Sequence, residues 1–140
     1  MSDQAEFRAF KGWGELAKKE LGYSQTVRIG NVIRISGQGA WDPTVTDISK
    51  VSMSDDVNEQ TDQAFANVEV ALKDAGGSGW SQVYSIRSLH VALDADHTAA
   101  MARNLKRYCP NNPPIWTEYG VAALGLPAMK VEIEVEALVQ

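Results

Sequence analysis

From Lys130 to Val139 the chain alternates, with Val131, Ile133 and Val135 apolar and Glu132, Glu134 and Glu136 charged. A two-residue period sends successive side chains to opposite faces of an extended strand, so this segment buries one face and keeps the other polar. Whatever the rest of the chain does, it has to supply neighbours for such a strand and a layer to cover its apolar side.

The upstream segments supply both. Ser24 to Gly37 contains two short β-rich runs, SQTVRI and VIRIS, separated by Gly30-Asn31, a pair that tolerates the positive φ of a tight hairpin turn. Ser54 to Ala75 has Thr61, Ala64, Val68, Leu72 and Ala75 on one helical face, with Ser54 or Asp55 as N-cap and Gly76-Gly77 as the stop. Val83 to Leu93 is rich enough in Val, Ile, Leu and Tyr to be a strand. Asp94 to Tyr108 returns to helical spacing through Met101, Leu105 and Tyr108 and ends before Pro110, and Ile115 to Leu124 is a further strand. Trp41 to Met53, rich in Asp, Thr and Ser, has no such period and is expected to run over the surface. In residues 1–20, Phe7, Phe10, Trp13 and Leu16 suggest a short amphipathic helix broken by Gly12 and Gly14, an N-terminal extension packed on the rest.

The order hairpin, helix, strand, helix, strand, strand predicts one domain over residues 1–140, a mixed sheet with two helices on one face. The face opposite the helices either stays polar or is covered by another copy of the chain, and the apolar content of the strands favours oligomerisation.

A length of 140 residues suits a single hydrophobic core. The net charge of -5 and a pI near 5.0 oppose binding to nucleic-acid phosphates or anionic lipid. No apolar run approaches the roughly 20 residues of a membrane-spanning helix, and the N-terminus lacks the pattern of a secretory signal, so a cytoplasmic location is expected. The single Cys109 cannot form an internal disulfide, and no Cys/His cluster has metal-ligand spacing, so no metal site is expected.

The run GNVIRISGQGAWD, the helix QTDQAFANVEVALKDAGG, the helix starting near Asp96 and the closing LPAMKVEIEVEA together resemble the RidA/YjgF family of reactive intermediate deaminases, also called endoribonuclease L-PSP-like, over residues 22–140. The most specific pieces are Ser36-Gly37-Gln38, the helix carrying Gln63, Ala64, Asn67, Val68 and Leu72, and the VEIE run. The resemblance implies a chorismate-mutase-like α+β fold, a homotrimer with sheets packed in a central barrel, and a small-molecule cleft at each subunit boundary. It also implies hydrolysis of reactive 2-imino acids to 2-oxo acids and ammonia without a cofactor. On that resemblance Tyr23 lines the cleft, Ser36, Gly37 and Gln38 form the turn beside the ligand, and Glu132 positions the attacking water.

One expected residue is missing. The family holds the substrate carboxylate with an arginine in a Pro-x-Arg-Ser-Cys motif, and the matching stretch here is Pro114-Ile115-Trp116-Thr117-Glu118. Trp116 stands for the arginine and Glu118 for the cysteine, which removes a planar bidentate donor and adds a ring and a negative charge. The resulting expectation is a hydrolase or deaminase acting on imines or enamines, with Trp116, Thr117 and Glu118 giving it altered specificity. The alternative is a non-catalytic trimeric binding or interaction protein of the same fold; ribonuclease action is disfavoured by the acidic charge. Glu118 and Glu132 are expected to form a like-charged pair on neighbouring strands, or else to lie on a solvated face. His90 and His97 are read as isolated structural or solvated residues and Cys109 as inert.

Overall fold

The computed structural model describes residues 4–140 and contains a six-stranded mixed sheet in the order β1-β2-β3-β6-β4-β5. The strands are β1 Glu6–Arg8, β2 Thr26–Ile29, β3 Val32–Ile35, β4 Val83–Val91, β5 Ile115–Val121 and β6 Val131–Leu138. The helices are α1 Trp13–Leu21, α2 Val57–Asp74 and α3 Ala95–Tyr108. All pairings are antiparallel except β4 with β5, which is parallel and uses α3 as its crossover.

The hairpin forms as expected. Ile29 pairs with Val32 across Gly30-Asn31, and Gly30 has φ 58°. Strand β6 lies between β3 and β4 with Val131, Ile133, Val135 and Ala137 buried beneath α2, whose own buried face is Ala64, Phe65, Val68, Ala71 and Leu72. Complete burial of each such Val, Ile, Leu or Phe contributes about 1.5–3 kcal/mol, and this layer is where the stability of the domain concentrates. The face of β6 carrying Glu132, Glu134 and Glu136 has no helix over it.

The N-cap of α2 is Asp56, one residue later than Asp55 and two later than Ser54. Its carboxylate accepts from Glu59 N–H, while Ser54 Oγ accepts from Asp56 N–H and donates to the Glu59 carboxylate. The N-terminal extension differs more from expectation. Phe7 lies on the short β1, which pairs with β2, and helix α1 starts only at Trp13; residues 1–3 of the expected helix lie outside the described residues. Gly12, at φ 94°, turns the chain into α1 so closely against Pro43 that a Cβ there would stand 2.2 Å from the Pro43 carbonyl oxygen. The expected N-terminal helix thus forms, shorter and starting later, alongside the two expected helices α2 and α3, with Trp13, Leu16 and Ala17 of α1 joining the core. The loop from Trp41 is likewise anchored from inside: Trp41 stacks on Trp13 at 4.2 Å, and Asn67 on α2 donates to the carbonyls of Gly39 and Trp41.

Among the described residues no helix is long and apolar enough to cross a membrane.

Candidate functional site

The uncovered face of the sheet distinguishes its three glutamates. Glu134 lies across β4 from Arg87, at 3.6 Å, and Glu136 lies across β3 from Arg34, at 3.5 Å. Glu132 faces Leu89 in the same register and makes no ion pair among the described residues. Burial, and secondarily the charge of Glu134, raise its carboxyl above the ordinary range. Glu132 lies directly over Gly37: a Cβ on that glycine would stand 2.5 Å from both Cγ and Cδ of the glutamate. The glycine is what lets the carboxylate lie down onto the turn.

That turn is held from beneath. Gln38 is fully buried and exchanges both backbone hydrogen bonds with Ile133, so the residue beside Glu132 fixes the turn to β6. Its side-chain Nε2 donates to Gln25 Oε1 at 2.7 Å and to the Ser36 carbonyl, and Ser36 Oγ donates to the Gln25 carbonyl. Tyr23, just before β2, completes the group. Burial pushes its phenol up, a hydrogen bond from Gln25 opposes that, and the Glu132 charge adds to the rise. Beside these residues an open groove of about 710 Å³ is lined by Phe7, Gln25, Arg34, Ser36, Gly37 and Glu134. Tyr23, Ser36, Gly37, Gln38 and Glu132 are therefore brought together, with Gln38 acting through the backbone from below. Gln25 was not expected; it is a polar residue at a strand entrance, and only its burial reveals it.

Trp116, Thr117 and Glu118 do not join this group within one chain. Strand β4 separates β5 from β6, and the registers place Glu118 opposite Ser88, and Ser88 opposite Ile133, on the helix side of the sheet. Glu132 is on the other side, so the expected like-charged pair of Glu118 and Glu132 does not exist within one chain. Thr117 points to the uncovered face on the outer strand, two strands away from Glu132.

Trp116 and Glu118 belong instead to a buried polar cluster that contains both histidines. Trp116 Nε1–H donates to Ser88 Oγ at 2.9 Å, and His90 Nε2 lies 2.8 Å from the same oxygen. His90 Nδ1 meets His97 Nδ1 at 2.9 Å. Glu118 Oε2 accepts from Thr98 Oγ1, while Oε1, buried and without a hydrogen-bond partner, lies 3.3 Å from His90 Nε2. Burial, followed by the neighbouring His97, lowers the His90 pKa to about 4, so its contact with Glu118 at neutral pH is that of an uncharged ring. The reading of the two histidines as isolated is thus corrected. They meet because Ala92, at φ 56°, and the Asp94 cap fold the start of α3 back over the end of β4.

The exposed side of Trp116 lines a second groove, of about 380 Å³, with Leu105, Lys106, Cys109, Pro110 and Pro114. Cys109 itself is buried, and its thiol is pushed up to about 11 by burial and then by Glu69, which makes it a poor nucleophile. Among the described residues no group of three or more His, Cys, Asp or Glu side chains is arranged to hold a metal ion.

Comparison with known proteins agrees with this architecture. Residues 16–139 match the family described as endoribonuclease L-PSP. A RutC family protein from Pyrococcus abyssi is 38% identical over 65 residues, covering 46% of this chain and 48% of that protein. A second, from Sulfurisphaera tokodaii, is 38% identical over 65 residues, covering 46% and 49%. The matched stretch spans about half the length of these curated relatives. Among solved structures, a YjgF-family protein from Mycobacterium tuberculosis superposes with a TM-score of 0.75 at 24% identity, covering 97% of this chain and 100% of the other. The Rid-family protein YyfA from Yersinia pestis gives 0.77 at 22% identity, with 97% and 100% covered. At these identities the structural likeness establishes the fold, a chorismate-mutase-like α+β domain, while the match over residues 16–139 establishes kinship. The chain is a member of the RidA/YjgF family, also named endoribonuclease L-PSP.

Proposed function

We propose that the chain is a small-molecule deaminase that hydrolyses a reactive imine or enamine to a carbonyl compound and ammonia, in a cleft completed where copies of the chain meet in a homotrimer. The observation that carries this is the position of Glu132: partly buried, laid over Gly37, beside Tyr23, and alone among the three glutamates of its strand in facing an apolar neighbour. A carboxylate with a raised pKa is suited to take a proton from water. The water oxygen then adds to the imine carbon, the C=N pair moves to nitrogen, and nitrogen is protonated. In the carbinolamine the hydroxyl gives up its proton, the amine takes one, the oxygen pair forms C=O and the C–N bond breaks with its electrons going to nitrogen, which leaves as ammonia. Backbone groups of the turn at Ser36, Gly37 and Gln38 bind polar atoms of the ligand, and no cofactor takes part.

Trp116 and Glu118 enter the same cleft only from a neighbouring copy, since within one chain they lie on the other side of the sheet. With Trp116 in place of the family arginine, the cleft prefers neutral or cationic ligands to carboxylates. A cytoplasmic setting and the absence of nucleic-acid binding fit the net charge of -5.

The test is ammonia release from imines generated in place, 2-iminopropionate from alanine by an amino-acid oxidase and the imine of benzaldehyde from benzylamine by a flavin amine oxidase. The proposal expects faster turnover of the second and loss of both in Glu132→Ala. Normal turnover of 2-iminopropionate that Glu132→Ala leaves untouched refutes it, and a stable monomer at micromolar concentration refutes the shared cleft.

One observation favours a second reading, a trimeric binder without chemistry. The residue in the arginine's place spends its one hydrogen-bond donor inside the protein, on Ser88. A compound that raises the melting temperature without being altered supports that reading.

A further inference from the structure

Ser88 is fully buried on β4, and its hydroxyl oxygen takes the indole N–H of Trp116 at 2.9 Å while His90 Nε2 stands 2.8 Å away. His90 is held in turn by His97 at 2.9 Å, and His97 is fixed at the first turn of α3, where its backbone N–H donates to Asp94 Oδ1. The contacts form an unbroken line from the start of a helix to an edge strand. Apolar side chains of the same size would fill this part of the core without the cost of burying polar groups. A hydrogen-bonded line adds orientation, because the Trp116 ring is restricted to the one setting in which its N–H reaches Ser88.

In that setting the ring offers the groove apolar surface only. Its other walls include Leu105, Pro110 and Pro114, and the one charged side chain in the lining is Lys106. Lys106 is a single point charge rather than the planar two-donor fork that holds a carboxylate, and the remaining walls are apolar, so the groove suits a flat, uncharged group.

We propose that Ser88 and His90 are positioning residues for ligand selection: they hold the Trp116 indole N–H inward, so that the groove between α3 and β5 takes the flat, uncharged aromatic part of the ligand. This rests on the deaminase reading only for the reactive group that such a ligand carries.

Benzamide, flat and uncharged, is a probe that binds without reacting. Its binding to the full-length protein is followed by the Trp116 indole N–H resonance, assigned with Trp116→Phe. The expected result is slow solvent exchange of that resonance in the free protein, faster exchange in Ser88→Ala, and benzamide binding roughly three- to tenfold weaker in the variant, the loss expected for one hydrogen bond. Ser88→Thr restores both properties. Trp116→Phe, which keeps a ring and deletes the N–H, weakens binding similarly and provides the test at the exposed end should Ser88→Ala not fold. Benzamide that leaves the Trp116 resonance unmoved, or that binds Ser88→Ala and Trp116→Phe as tightly as the parent protein, overturns the proposal. Absence of ammonia release from both imines, with Ser88-dependent benzamide binding intact, removes the deaminase reading and leaves this one standing.

Discussion

Glu132 lies so close over Gly37 that a single methyl group added to the glycine would stand 2.5 Å from two carbons of the carboxylate side chain. The contact joins the turn after β3 to β6, and it depends on the glycine having no side chain rather than on an unusual backbone angle, since Gly37 is not among the glycines with positive φ.

Gly37→Ala therefore separates the site from the fold. The atoms it would strike belong to a flexible side chain, which can swing away at a cost of about 1–3 kcal/mol. The expected result is a folded protein with a modestly lower melting temperature and imine turnover reduced at least about tenfold, a misplacement effect. Calorimetry and the ammonia assay on the same sample check both halves.

Glu132→Gln is expected to raise stability at neutral pH while abolishing turnover. An acid whose folded-state pKa lies above its unfolded value takes up protons on folding, so it opposes folding at high pH and does so less as pH falls through the folded pKa. The neutral amide removes that opposition. Denaturant midpoints at pH 7.5 and pH 5 should show the variant's advantage shrinking at the lower value.

His90 acts in the opposite direction. Its pKa falls from the usual 6.5 to about 4 in the folded state, so the folded protein binds fewer protons than the unfolded chain between these values. The contribution is fully present above pH 6.5 and is lost progressively as the pH falls toward 4. The groups facing the ring are His97 from α3, Ser88 on its own strand, and Glu118 with Trp116 on β5. A His90→Gln variant should be less stable than the parent at pH 7.5, with the gap narrowing by pH 4.5, as read from urea midpoints at the two values.

Ala92→Gly should stabilise the protein by about 0.5–1 kcal/mol. Ala92, at φ 56°, is the one non-glycine residue with positive φ among the described residues, and an L side chain there carries a steric cost of roughly 1–2 kcal/mol. Part of that gain is offset because glycine loses more freedom on folding. A rise in melting temperature with unchanged imine turnover is the expected outcome.

Much of the sheet was legible in the sequence because its signals are local. Gly30-Asn31 marks the hairpin, the alternation from Val131 fixes which face of β6 is buried, and the spacing from Thr61 to Ala75 gives α2. The family resemblance named Tyr23, Ser36, Gly37, Gln38 and Glu132 together, and the fold brings these five near one another. What escaped depends on side chains brought together through tertiary contacts. β1 is three exposed residues with no pattern to read, and its pairing with β2 is the only thing that makes it a strand. The place of β4 between β6 and β5, with a register that sets Glu118 and Glu132 on opposite sides of the sheet, follows from tertiary pairing rather than from any run of residues. His90 and His97 are seven residues apart across a strand end and a helix start; only the reversal at Ala92 turns that separation into contact.

The brief pairing of Glu6, Phe7 and Arg8 with β2 has a consequence for how the molecule behaves in company. Those three residues occupy amide and carbonyl groups that β2 would otherwise hold out along its outer margin, and the Arg8 guanidinium, clamped to Asp74 on α2, pins them there. Were the clamp released, the sheet would carry a bare rim able to recruit any extended backbone, including its own sibling's, and growth into filaments would have a starting point.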